Sequence, residues 1–189
     1  MSGLHSFEID ILNAIQTIRT DNLDDIMVTV TALGNAAIFW ISILLVFLTT
    51  KRYKKMGEII ALSFILNIIV VNIILKISVG RLRPYEAVGF TDLLISHLSD
   101  NSFPSGHTSY AFSFVSVLWF LGKSKIMNWY MTILAVLIAF SRLYLYVHYP
   151  SDVLAGAIIG VLLSVLAIKI YDSEFYKRIR ENIIYKGKV

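Results

Sequence analysis

Between residues 26 and 50 the chain carries no charged side chain. That run decides which solvent the fold is built for, because it is long enough to cross a hydrocarbon core of roughly 30 Å as a helix. Four more apolar runs follow, so the spanning segments are expected near 26–50, 57–77, 105–122, 126–145 and 151–170. Helix is the conformation that satisfies every backbone group inside lipid. The composition agrees: 57% hydrophobic against 16% charged residues in 189 is outside the range of soluble globules. The expected fold class is all-α, a polytopic membrane bundle of about five spanning helices forming one domain over 1–189.

The start of the chain differs. Leu4, Phe7, Ile11, Ala14, Ile15 and Ile18 recur at three- and four-residue steps, with Glu8, Asp10, Asn13 and Thr17 between them. Residues 4–18 thus read as an amphipathic helix, either lying in the membrane interface or packed on the bundle. Glu8, Asp10, Asp21, Asp24 and Asp25 argue against a cleavable signal peptide. The absence of cysteine excludes disulfides and thiol nucleophiles. A net charge of +4 reflects topology rather than nucleic acid, since the basic residues sit between apolar runs. Lys51, Arg52, Lys54 and Lys55, then Lys123 and Lys125, then Lys177, Arg178, Arg180, Lys186 and Lys188 fall on one side if five helices alternate. That side, with the C-terminus, is expected to be cytoplasmic.

Three polar clusters then share the outer side. They are Lys76 to Pro84, Pro104-Ser105-Gly106-His107, and Ser141-Arg142 with His148 and Asp152. Charged groups at membrane depth are expensive and mark function. Lys76, Arg83 and Arg142 are cations suited to phosphate oxygens. Ser105 and Gly106 precede a helix whose free N–H groups attract an anion. Asp152 falls in the first turn behind Pro150, where it can orient His148 and leave one ring nitrogen free as nucleophile or base. His107 can protonate a leaving oxygen. Lys76 and Arg83 lie two turns apart, although Gly80 and Pro84 argue against an unbroken helix between them. Arg142 can alternatively balance Asp152. No carboxylate cage for a metal is present, and no cofactor is expected.

Taken together, Lys76-x6-Arg83-Pro84, Pro104-Ser105-Gly106-His107 and Ser141-Arg142-x5-His148-x3-Asp152 resemble the three-part signature of the type 2 phosphatidic acid phosphatase (PAP2) superfamily. That superfamily also holds vanadium haloperoxidases and glucose-6-phosphatases. No signature position departs from the pattern. The usual membrane members have six spans, and here 4–18 stands in for the first or is a degenerate form of it. The resemblance implies metal-independent hydrolysis through a phosphohistidine. It makes His148 the nucleophile, Asp152 its partner and His107 the general acid, with Lys76, Arg83, Ser105, Gly106 and Arg142 on the phosphoryl oxygens. Small bacterial members act on lipid phosphates outside the cytoplasmic membrane, and the chain is most similar to the undecaprenyl-diphosphatases among them.

The expected substrate is therefore a polyprenyl diphosphate, with phosphatidylglycerophosphate or phosphatidate as alternatives. A phospholipid transporter or flippase is the competing class, and a vanadate-dependent haloperoxidase a third. Within 85–103, Thr91-Asp92 resembles a helix cap ahead of an apolar side made by Leu93, Leu94, Ile95 and Leu98. That segment is expected either in the interface beside the lipid entry or as a solvated loop. His5 and His97 match no motif and read as surface residues. Tyr144, Tyr146, Tyr149 and Trp40 are either interfacial aromatics or packed ones.

Overall fold

A computed structural model describes residues 3–34, 38–122 and 124–178. Its helices are α1 (Gly3–Gln16), α2 (Asp21–Gly34), α3 (Ile38–Thr49), α4 (Lys54–Asn67), a π-helical stretch Ile68–Leu75, α5 (Lys76–Val79), α6 (Pro84–Val88), α7 (Gly106–Leu121), α8 (Lys125–Tyr144) and α9 (Pro150–Asp172). Lys54–Val88, Lys125–Tyr144 and Pro150–Asp172 are long and apolar enough to cross a membrane, and α2 with α3 makes a fourth if the bent pair counts as one. The sixteen-residue α7 is shorter but runs through the centre, with Ala111, Phe114 and Val117 fully buried. The all-α membrane bundle is thus the observed architecture.

The span expected at 26–50 is divided. α2 begins five residues earlier, at Asp21, and ends at Gly34, and α3 departs at a bend of 44°. A count of uncharged residues does not register such a bend. By contrast, α4, the π stretch and α5 continue without interruption until Gly80, which takes φ +60° and closes the helix. Arg83 is then extended, with ψ 153°, ahead of Pro84. Lys76 and Arg83 therefore stand on separate elements, as Gly80 and Pro84 required.

The tightest packing joins α7 to α9. A Cβ on Gly156 would lie 2.6 Å from the Ser105 carbonyl oxygen, and one on Gly160 would lie 2.4 Å from that of Ser109. The Gly-x-x-x-Gly spacing lets the two backbones touch, the usual route to helix association where lipid removes the hydrophobic drive. Ser113 Oγ donates to the Gly160 carbonyl at 2.9 Å. Asn67 of α4 closes the knot through the Ser109 and Ser113 hydroxyls. Burying these polar groups together is tolerable because each finds a partner.

Two apolar clusters result. The larger holds Trp40, Ile59, Ile60, Phe114, Val117 and Ile138 within the bundle. The smaller caps one end, with Leu12 of α1, Tyr85 of α6, and Tyr146, Val147 and Tyr149 of the α8–α9 turn. Trp40, Tyr144, Tyr146 and Tyr149 are at most 1% exposed, so they are packed aromatics and not interfacial ones. α1 packs on the bundle through Leu12 and a buried Glu8, while Phe7 and Ile18 stay exposed. Residues 91–98 form no helix, contrary to the capped segment expected there. Leu93, Leu94, Ile95 and Leu98 instead pack on the smaller cluster, and the Tyr85 hydroxyl meets both the N–H and the C=O of Leu98. Their apolar side chains found a local core, which removes the need for a periodic face.

At the opposite end Lys51, Arg52 and Lys54 are exposed, and Lys55 pairs with Asp172 at 3.0 Å. Lys123, Arg180, Lys186 and Lys188 lie outside the described residues.

Candidate active site

Each motif residue occupies the end of an element. Lys76 opens α5 and Arg83 caps α6. Ser105 caps α7, so Gly106 and His107 fill its first turn. Arg142 lies in the last turn of α8, His148 in the following turn, and Asp152 in the first turn of α9. The Ser105 N–H donates to the Asp152 carbonyl at 3.0 Å, which ties the second motif to the third. Lys76, Arg83, Ser105, Arg142, His148 and Asp152 are all buried. Ionisable groups buried in that number at one end of an apolar bundle demand compensation.

His148 divides the site into two faces. On the Nδ1 side, Ser102 Oγ lies 3.4 Å away and the Asp152 carboxylate 3.6 Å away. Asp152 is thus an electrostatic neighbour of the imidazole, beyond hydrogen-bond length. Its oxygens already accept from Ser102 Oγ at 2.5 Å, from the Tyr149 N–H at 2.9 Å, and from Arg81 Nη1 at 2.6 Å. Arg81 in turn reaches Glu8 at 2.6 Å and lies 3.8 Å over the Tyr149 ring. Glu8 also accepts from the Ser151 N–H at 2.9 Å. The amphipathic α1 is therefore wired to Asp152 through a single arginine.

On the Nε2 side, Arg83 Nη1 approaches to 3.3 Å. A guanidinium only donates, so Nε2 must accept and the ring proton belongs on Nδ1, toward Ser102 and Asp152. That tautomer leaves the Nε2 lone pair as the reactive one. Burial, followed by the fields of Arg83, Arg142 and Lys76, drives the His148 pKa well below the ordinary imidazole value. The ring is neutral at neutral pH, the form a nucleophile requires.

Around Nε2 the cations outnumber the anions. Arg83 Nη2 and Lys76 Nζ both bind the Asp100 carboxylate. Burial works to raise the Asp100 pKa, but Lys76 and Arg83 outweigh it and hold the group at about 2. Arg142 donates Nη1 to Thr31 Oγ1, whereas its buried Nε and Nη2 have no hydrogen-bond partner. Buried donors left so are rare and point to a ligand. Three cations against one carboxylate leave two positive charges, the charge a phosphate dianion would neutralise. His107 lies within electrostatic reach of Arg142, His148, Lys76 and Arg83. Its ring packs so closely on α2 that a Cβ on Gly34 would come 2.5 Å from Cδ2.

A cavity of about 570 Å³ borders this face at Lys76, Asp100 and His107. Ile41 and Leu44 of α3, Phe64 and Ile65 of α4, and Ile68 of the π stretch form its apolar length; Asn72, Lys76, Asp100, Gly106 and His107 form its head. Of residues 85–103 only Asp100 borders the cavity. The segment expected in the interface beside the lipid entry, or as a solvated loop, thus lends this cavity one side chain, while α3 and α4 line its apolar length.

Sequence reasoning brought together every signature residue but missed Arg81, Glu8, Ser102 and Asp100. Asp152 is balanced by Arg81, and Arg142 serves the other face. The signal available was Asp100-Asn101-Ser102 directly before the second motif, three side chains able to bond. Glu8 gave a weaker one, as an acid on an apolar-periodic segment. Of the two non-motif histidines, His97 is exposed beside Tyr85 and His5 half-buried against Tyr149.

Comparison with known proteins bears on the family and the fold. Residues 56–176 match the family model of the PAP2 superfamily. The undecaprenyl-diphosphatase of Sulfolobus acidocaldarius is 32% identical over 93% of this chain and 84% of its own length. Phosphatidylglycerophosphatase B of Bacillus subtilis is 31% identical over 95% of this chain and 90% of its own. The crystal structure of a transmembrane PAP2-type phosphatidylglycerolphosphate phosphatase from Bacillus subtilis superposes with a TM-score of 0.76 at 26% identity, covering 93% of this chain and 90% of that one. With the signature complete and assembled around one imidazole, the chain belongs to the PAP2 superfamily and is a membrane lipid phosphatase.

Proposed function

We propose that the substrate is a polyprenyl diphosphate, undecaprenyl diphosphate in the first instance, cleaved to the monophosphate and inorganic phosphate. The observation that carries the reading is the pairing of a two-charge cation excess with an apolar cavity that ends on it. The apolar residues of α3 and α4 along the cavity suit the hydrocarbon of a lipid substrate. The name of the Sulfolobus relative supports the same substrate.

The lipid tail lies in the cavity and the terminal phosphate among Lys76, Arg83 and Arg142, with the N-terminus of α7 at Ser105 and Gly106. His148 Nε2 attacks phosphorus in line, the bond to the bridging oxygen breaks, and His107 gives that oxygen its proton. The fixed cations stabilise charge spread over the equatorial oxygens. Water, losing a proton to His107, then cleaves the phosphorus–nitrogen bond and returns His148. Arg81 and Ser102 hold Asp152 so that it steadies the imidazolium character that develops at His148.

The site faces the extracytoplasmic side and the C-terminus the cytoplasm, because the exposed lysines and arginines gather at the opposite end. The native chain has no cysteine, so a single cysteine introduced at Ser96 reports this directly. It should react with a membrane-impermeant maleimide in intact cells, and one placed at Lys54 should not.

A second reading, hydrolysis of phosphatidylglycerophosphate, is favoured by the Bacillus subtilis relative and structure. A panel of undecaprenyl diphosphate, phosphatidylglycerophosphate, phosphatidate and a soluble diphosphate, compared by kcat/KM, separates the two. Preference for either glycerolipid would contradict the prenyl assignment.

A further inference from the structure

Asp100 is the one carboxylate among the described residues that pairs with either Lys76 or Arg83, and it pairs with both. Its two oxygens bridge cations from α5 and α6 as two oxygens of a phosphate would. Half its side chain is exposed, and it borders the head of the cavity beside Lys76, Gly106 and His107.

The flanking backbone is fixed. Asn101 Nδ2 donates to the Lys76 carbonyl at 2.9 Å, the Ser102 N–H donates to the Arg81 carbonyl at 2.8 Å, and Arg83 Nε donates to the Asp100 carbonyl at 2.9 Å. The carboxylate is joined to that anchored backbone by one methylene. It can leave the cations by a rotamer change into solvent with no loop opening.

Resting on the phosphatase reading of this site, we propose that Asp100 is a resident counter-anion that the substrate phosphate must displace, so that a phosphate without a lipid tail is held only weakly. Every phosphate meets the same cost of displacing Asp100. A lipid offsets that cost with the burial of its tail in the cavity, binding energy realised away from the reacting centre. Inorganic phosphate has no such reserve, so both external phosphate and the product itself are held weakly. A cation site occupied by its own carboxylate for nine-tenths of the time binds a competitor about tenfold more weakly than an open one.

The test is competitive inhibition of lipid hydrolysis by inorganic phosphate, measured on the whole enzyme in detergent. Asp100→Asn keeps the size and removes the charge. Its inhibition constant for phosphate should fall about tenfold, and KM for the lipid should fall by a similar factor. Asp100→Glu, whose carboxylate is retained, should bind phosphate weakly like the native enzyme. An unchanged or raised inhibition constant in Asp100→Asn means that Asp100 only positions the cations, and overturns the proposal. So does a gain for the lipid with none for free phosphate, since the displacement cost is shared by every phosphate. Asp100→Ser serves as the second variant; failure of both to fold shows that the carboxylate cannot leave, and also overturns it. Native enzyme that phosphate does not inhibit competitively at all counts against the site reading itself, a result distinct from any of these.

Discussion

The two sides of His148 are built to opposite rules. On the Nδ1 side every charge has a partner within the fold: Arg81 is shared by the carboxylates of Glu8 and Asp152, and Asp152 accepts three hydrogen bonds. On the Nε2 side Lys76 and Arg83 share one carboxylate, and Arg142 holds two buried donors without partners. The first arrangement costs little to maintain, because each buried charge is paired. The second is electrostatically expensive and persists because surrounding helices over-determine it. A saturated side fixes geometry, and a deficient side binds what arrives. The same residue types, arginine and aspartate, serve both purposes, and only their stoichiometry separates them.

The contrast breaks most severely if the shared imidazole is removed. His148→Ala should lower kcat by at least about 10⁴-fold, with a melting temperature near that of the native protein. Near-normal turnover would mean that the two sides do not meet at a reacting centre. Next in size is the deficient side. Arg142→Ala should cost roughly 10²- to 10³-fold in kcat/KM, and Arg142→Lys should recover little, because an ammonium cannot supply the planar fork.

Smaller still is damage to the saturated side. Arg81→Gln should lower kcat on the order of tenfold with KM nearly unchanged, the scale of a group that orients the reacting residue through another. Glu8→Gln, one step further out, should cost roughly two- to threefold. A larger effect on KM than on kcat from Arg81→Gln would place that arginine among the phosphate contacts and erase the distinction.

The smallest expected effect is a slope with pH. His148 in the folded protein takes up a proton only well below 6.5, whereas the unfolded chain does so near 6.5. Stability should therefore fall as pH drops below 6.5, by at most about 1.4 kcal/mol per pH unit for this group. Asp100, held at about 2 in the fold against 3.8 in the unfolded chain, adds a second loss between about pH 4 and pH 2. His148→Gln should lessen the slope in the first window and leave the second, as read by melting temperature against pH.

How far the sequence reaches follows the same division. The deficient side was legible, since lysine, arginine and histidine at membrane depth have few structural uses and their spacing matched one family. The saturated side was largely hidden. Arg81 lies inside the first motif, yet nothing local says that its partner is Asp152, seventy-one residues on. Glu8 was visible only as the polar side of a helix whose docking depends on the α8–α9 turn.

The bundle shows a similar split. Apolar runs fell on three helices long and apolar enough to cross a membrane, Lys54–Val88, Lys125–Tyr144 and Pro150–Asp172, but uncharged length concealed the 44° bend between α2 and α3. The Gly156 and Gly160 contact with α7 was present as a spacing and became meaningful only with the facing serines in view. At 91–98 the hydrophobic pattern serves a tyrosine-rich local core, an environment that neither a membrane interface nor a solvated loop describes.

The central claim is that His148 Nε2 becomes covalently bonded to the substrate's phosphorus. Rapid acid-free quenching of enzyme turning over a lipid diphosphate radiolabelled in its terminal phosphate tests it most directly. Label should appear on the peptide containing His148, stable to alkali and lost in acid, and should be absent from His148→Ala. Turnover with no label trapped at any time, or label on a different residue, would contradict the account.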